Sequence, residues 1–242
     1  MTSPLSPKDR LIIALDVDSA KAAKEAVHIL RGRVGAFKIG FELFVSEGPS
    51  IVEMVRNEGG NVFLDLKFHD IPNTVAKATK AAVRMGAAFF DVHASGGRAM
   101  MEKAAKAAEE EAAILGVSQP ISLAVTVLTS LTAEDLRNDL NIGRTPEEQV
   151  VSLALLAKEC GMRGVVSSPK EAAAIRAAAG KGFIIVTPGV RPAWAATDDQ
   201  KRFTTPLEAV NAGADYLVIG RPILKAGDPA EAAARVVEEL GG

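Results

Sequence analysis

The 242-residue chain is 48% hydrophobic, with a formal net charge of -2 and an isoelectric point near 6.0. That length suits one large α/β core better than two small domains, and the near-neutral charge excludes a global attraction to nucleic acid or an anionic membrane. Any phosphate recognition must therefore be local, and the single cysteine, Cys160, excludes an internal disulfide and fits a reducing cytoplasm.

Residues 1–9 open the chain with a Ser/Pro-rich stretch that has no apolar signal core, which predicts a flexible tail on a soluble, unprocessed, cytoplasmic protein. The first apolar, β-branched run is Leu11 to Val17, and Ser19 to Arg31 after it has the residue types of an amphipathic helix. Further strand-like runs follow at Ala36 to Gly40, Val62 to Lys67 and Phe89 to His93. Arg98 to Leu115 reads as a helix, Ile121 to Leu128 as a strand, and Glu147 to Cys160 as a helix whose end buries the cysteine. Gly164 to Ser167, Phe183 to Val190 and Tyr216 to Gly220 complete eight strands. Near-continuous apolar strands alternating with helices predict a parallel sheet covered on its outer side, and eight such units predict a single (β/α)8 TIM-barrel domain over residues 1–242. An open doubly wound sheet is the alternative, although Leu11 to Ser19 lacks the glycine-rich turn of a dinucleotide-binding fold.

Barrel enzymes build their sites at the C-terminal ends of strands. Asp16, Lys38, Asp65, Lys67, Asp91 and His93 all fall there. Asp65 and Lys67 are two apart on one strand, so both project to one face above Phe63 and into the barrel mouth. Asp70 follows just beyond the strand, ahead of Ile71-Pro72-Asn73-Thr74, which reads as a loop entering a helix. Two lysines among two or three aspartates form a charge-balanced network in which carboxylates favour the ammonium forms, so Lys67 is expected to donate a proton. The competing reading is a buried ion-pair network that ties strands together. His69 and His93 read as structural hydrogen-bonding residues near strand ends, and His28 as a helix-surface residue.

Two late turns, Thr187-Pro188-Gly189-Val190-Arg191-Pro192 and Ile219-Gly220-Arg221-Pro222, follow apolar strands. Loops after strands seven and eight are a common phosphate site in this architecture: glycine admits close backbone approach, and arginine offers a bidentate fork. Between them, Pro192 to Thr205 is a polar loop with Asp198, Asp199, Gln200, Lys201 and Arg202, a candidate lid.

With these residues in view, the chain resembles the orotidine 5'-phosphate decarboxylase family from Leu11 to Pro222. The strongest element is the Asp-x-Lys-x-x-Asp pattern of Asp65, Lys67 and Asp70, extended from Phe63 to Thr74. Supporting elements are Leu15-Asp16, Lys38-Ile39-Gly40, Asp91-Val92-His93-Ala94, Val127 to Ser130, Val186 to Pro192 and Val218 to Pro222. The resemblance implies cofactor-free, metal-free decarboxylation of orotidine 5'-phosphate (OMP) to UMP in pyrimidine biosynthesis. It implies ribose binding by Asp16, a link from ribose to the charge network by Lys38, Asp65 beside the substrate carboxylate and Lys67 as proton donor to carbon 6. It further implies Thr129 at the pyrimidine ring, substrate contact at Ile71, and Arg191, Gln200, Gly220 and Arg221 around the phosphate. Asp70 and Thr74 would reach the neighbouring subunit's site in a homodimer. Trp194-Ala195-Ala196 departs from the small, glycine-rich lid frequent in the family.

Two other readings stand beside this one. A metal-dependent sugar-phosphate decarboxylase or epimerase could use Asp65 or His93 on a related barrel. A noncatalytic phosphate-binding barrel would keep the Arg221 turn without needing the charged residues.

Overall fold

The computed structural model describes residues 5–195 and 204–241. Eight parallel strands close on themselves in chain order: β1 (Leu11–Ala14), β2 (Ala36–Ile39), β3 (Val62–Phe68), β4 (Phe89–His93), β5 (Ile121–Val125), β6 (Gly164–Val166), β7 (Ile184–Pro188) and β8 (Tyr216–Ile219), with β8 paired to β1. This is the (β/α)8 barrel, and its closure removes the open-sheet alternative. The outer layer holds α1 (Ala20–Leu30), α2 (Phe41–Glu47), α3 (Ser50–Asn57), α4 (Pro72–Arg84), α5 (Arg98–Leu115), α6 (Ala133–Asn138), α7 (Pro146–Glu159), α8 (Ala172–Ala179), α9 (Pro206–Asn211), α10 (Arg221–Leu224) and α11 (Pro229–Glu239). Among the described residues no helix is long and apolar enough to cross a membrane.

The strands sort their side chains with period two. On β1, Leu11 and Ile13 pack outward against the helices, while Ile12 and Ala14 join Ala36, Phe63, Phe89, Leu123, Val186 and Tyr216 inside the barrel. Phe89 meets the Tyr216 ring edge-on at 5.1 Å and Phe63 at 5.9 Å, so aromatic volume fills the interior. Helix starts are written locally. Thr145-Pro146-Glu147-Glu148 and Thr205-Pro206-Leu207-Glu208 each put a threonine at the cap, proline at the first helical position and glutamate at the third. Both form reciprocal capping boxes.

The composition predicts a tail over residues 1–9, yet the chain is already packed from Leu5. Leu5 lies against the interior cluster, Lys8–Arg10 form a 3-10 turn, and Arg10 donates to the Asp215 carbonyl at 3.1 Å. A Ser/Pro-rich composition does not reveal that one leucine finds the bottom of the barrel.

Arg176 on α8 ties this N-terminal end together. Its guanidinium donates to the carbonyls of Gly180, Phe183 and Gly213 at 2.8, 2.7 and 2.9 Å and to Asp215 Oδ2 at 2.7 Å, and Asp215 Oδ2 also accepts from the Ile185 N–H at 2.8 Å. Truncating it strands several acceptors, one of them charged. Arg176→Ala is expected to lower the unfolding free energy by about 2–4 kcal/mol in a urea titration. A loss under about 0.5 kcal/mol would mean that solvent satisfies those acceptors equally well.

Candidate active site

Above the apolar interior, the same alternation delivers charge. Lys38 stands two residues beyond inward-facing Ala36, Asp65 two beyond Phe63, and Asp91 two beyond Phe89, all toward the C-terminal end of the barrel. Lys38 Nζ lies 3.2 Å from Asp65 Oδ2 and 3.6 Å from Asp16 Oδ1, while the Lys67 ammonium bonds to Asp65 Oδ1. Asp65 is therefore held between two cations, one on each oxygen. Burial alone would raise its pKa, but the Lys38 charge, a hydrogen bond with Asp91 and the Lys67 ammonium outweigh it and hold the carboxyl below its usual range. The pairing is present above the ordinary carboxylate pKa and is lost as pH falls through the depressed one.

Lys67 reaches this place by a route that simple alternation does not give. β3 and β4 pair at Leu64↔Phe90 and next at Phe68↔Val92, so residues 65, 66 and 67 on β3 face residue 91 alone on β4. Within this bulge Lys67 has φ +43°. Among the described residues, Asn141 is the other non-glycine residue with positive φ, and asparagine tolerates that region far better than lysine. Such a backbone costs on the order of 1–3 kcal/mol and persists where its surroundings enforce it. The enforcing contact is a hydrogen bond of 2.7 Å from the Lys67 N–H to Asp91 Oδ1. The Lys67 ammonium also lies 5.9 Å from the centre of the Phe41 ring, a residue the sequence reading missed.

Asp91 is buried, 1% exposed. Burial, then the charge of Asp65 and the hydrogen bond between the two carboxyls, push its pKa well above the ordinary range, against the weaker pull of Lys67. The two carboxyls are thus pushed in opposite directions, Asp65 down and Asp91 up.

A cavity of about 240 Å³ opens over these groups, lined by Lys38, Asp65, Lys67, Leu128, Thr129 and Ser167 among others, with Phe63 and Val218 below. Thr129 lines the same cavity as the charged residues. Gly220 brings the end of β8 against Asp16: a Cβ there would sit 3.1 Å from Ala14 Cβ and 3.2 Å from Asp16 Oδ2, so a side chain would press on the carboxylate by a few tenths of an ångström. Arg221 follows, exposed, at the start of α10. Arg191, after β7, is half-buried, and its N–H donates to the Thr204 carbonyl at 3.0 Å, which closes the base of the loop between them.

Asp70, Ile71 and Thr74 stand apart from this group, exposed on the rim. The Asp70 carboxylate accepts from the Ile71 N–H at 2.6 Å and makes no ion pair among the described residues. Gln200, with Asp198, Asp199, Lys201 and Arg202 of the candidate lid, lies outside the described residues.

The histidines differ from expectation. His69 and His93 face each other ring to ring at 5.5 Å, and neither makes a side-chain hydrogen bond among the described residues. Burial, then the charges of His69 and Lys67, lowers the His93 pKa, against the weaker pull of Asp65. His28 lies exposed on α1, 3.6 Å from Glu58, as read from the sequence. Cys160 caps the end of α7 in a buried position where desolvation raises its thiol pKa, which suits packing rather than nucleophilic chemistry.

Residues 9–236 match the model of the "Orotidine 5'-phosphate decarboxylase / HUMPS family". A protein of Syntrophomonas wolfei named orotidine 5'-phosphate decarboxylase is 53% identical over 237 residues, covering 98% of this chain and 99% of its own. One of the same name from Trichlorobacter lovleyi is 56% identical over 233 residues, covering 96% and 95%. The crystal structure of orotidine 5'-phosphate decarboxylase from Lactobacillus acidophilus superposes with a TM-score of 0.83 at 37% identity, over 96% of this chain and 99% of that one.

Proposed function

The chain belongs to the orotidine 5'-phosphate decarboxylase / HUMPS family, and from that premise we propose that it converts OMP to UMP and CO2 in pyrimidine biosynthesis, without metal or cofactor. The observation that carries the reading is Asp65 clasped by the ammonium groups of Lys38 and Lys67 beside the cavity. In the proposed reaction the bond from carbon 6 to the carboxylate breaks, its electron pair stays on carbon 6 as CO2 leaves, and the Lys67 ammonium gives that carbon a proton. General acid catalysis alone supplies about 10²- to 10⁴-fold, whereas the slowest reactions need on the order of 10¹⁷-fold. A fixed ammonium aimed at the developing charge, and binding energy from the distant phosphate, supply the rest.

Thr129 would contact the pyrimidine, Asp16 and Lys38 the ribose, and Arg191, Gln200, Gly220 and Arg221 the phosphate, with the loop between Pro192 and Thr205 closing over it. The chain would act in the cytoplasm as a homodimer in which Asp70, Ile71 and Thr74 reach the neighbouring site. Apolar exposure supports this arrangement. Phe41, Val45, Ile71 and Leu128, 54%, 78%, 67% and 40% exposed, all follow the C-terminal ends of strands, on the side where Asp70 makes no ion pair among the described residues.

A metal-dependent sugar-phosphate enzyme would instead need Asp65 free to ligate an ion, and both its oxygens are engaged by lysines. The test is the absorbance change as purified protein acts on OMP in excess EDTA. Undiminished turnover is expected. Absence of turnover, or activity on a sugar phosphate that appears only with added divalent metal, would overturn the reading.

A further inference from the structure

Asp91 lies beneath Lys67 rather than in the cavity, and the reaction just described gives it no role. Its two oxygens are differently engaged. Oδ1 accepts the Lys67 backbone N–H at 2.7 Å, inside the bulge where Lys67 has φ +43°. Oδ2 is buried and finds no donor among the described residues, and its carboxyl faces that of Asp65, which can only accept. A proton on Oδ2 resolves this, because an acid can donate where two carboxylates would repel. Asp65 then keeps its charge for the two lysines, and the group Asp16, Lys38, Asp65 and Lys67 balances with two negative and two positive charges.

We propose that Asp91 is a positioning residue for Lys67: as a neutral acid it holds the lysine's left-handed backbone through Oδ1 and the Asp65 carboxylate through a proton on Oδ2. Both ends of the Lys67–Asp65 pair are thereby fixed from one side chain. The inference rests on the proposed decarboxylation for its kinetic consequence, and on the geometry of β3 and β4 for the rest.

Asparagine offers the same pattern, a carbonyl oxygen to accept and an N–H to donate, while valine keeps the shape and offers neither. Asp91→Asn is expected to turn over OMP with kcat within about threefold of wild type and an unchanged pH–rate profile, whereas Asp91→Val loses about 10- to 100-fold in kcat with KM within about threefold. A merely structural role would lower the stability of both variants without separating kcat from KM or restoring the asparagine form. Independently of turnover, carbon-13 spectra of aspartate-labelled protein should show one carboxyl still protonated at neutral pH, absent from Asp91→Asn.

Equal impairment of the two variants, wild-type kcat in Asp91→Val, or no protonated carboxyl would overturn the proposal. Should the valine variant fail to fold, the asparagine kinetics and the carbon-13 signal decide. Should the wild type leave OMP unchanged, the decarboxylase reading fails while the carbon-13 signal still tests Asp91.

Discussion

Lys67→Ala is expected to lower kcat/KM for OMP by at least about 10⁴-fold, while the affinity for UMP changes by less than about tenfold. In the proposed reaction two contributions are lost together. One is the proton for carbon 6, and the other is the cation that meets the charge developing there; each is worth on the order of 10²-fold or more. The fold has little reason to change, because the Lys67 side chain ends in the cavity and its backbone contact to Asp91 does not depend on it. Lys67→Arg separates the contributions: a guanidinium keeps the charge but hardly gives up a proton, so a deficit of about 10²-fold or more should remain. Retention of more than about 1% of wild-type kcat/KM by the alanine variant would remove Lys67 from the chemistry.

Asp65→Asn is expected to lower kcat by about 10²- to 10³-fold with the barrel intact by circular dichroism. The side chain lies between Lys38 and Lys67, and an amide cannot neutralise either. Two ammonium groups gathered on one side chain and no longer neutralised by its charge repel, which drives Lys67 from its place. The loss stops short of complete because the Lys67 backbone is still held by Asp91 Oδ1. A deficit below tenfold would show that the two lysines do not depend on Asp65 for their arrangement.

Much of this was legible in the residues themselves. The eight apolar runs could be seen because strands covered on both faces need few polar residues. Their ends were less visible. The run Leu11 to Val17 stops as strand at Ala14, and Ile121 to Leu128 stops at Val125, because hydrophobicity persists past the last ladder pairing. Lys38, Asp65 and Lys67, which strand position directs to the barrel mouth, line one cavity, and so does Thr129, which only the family resemblance singled out.

What alternation could not foresee is the manner of convergence. A bulge is a relation between two strands, so the Val62 to Phe68 sequence alone carries no mark of it. Asp91 could be placed inward by its spacing from Phe89, but the upward push on its pKa comes from burial and from facing Asp65, and Phe41 reaches Lys67 from a helix. The facing rings of His69 and His93 are likewise a tertiary contact.

If Lys67 is the proton donor proposed above, its positive φ changes where that group's disorder is removed. A lysine on a regular strand would explore many side-chain rotamers, and each catalytic cycle would have to select one of them. Here the bulged main chain is held by Asp91, and the ammonium is already paired with Asp65. The ordering is done once, when the molecule folds, and every later turnover begins from it.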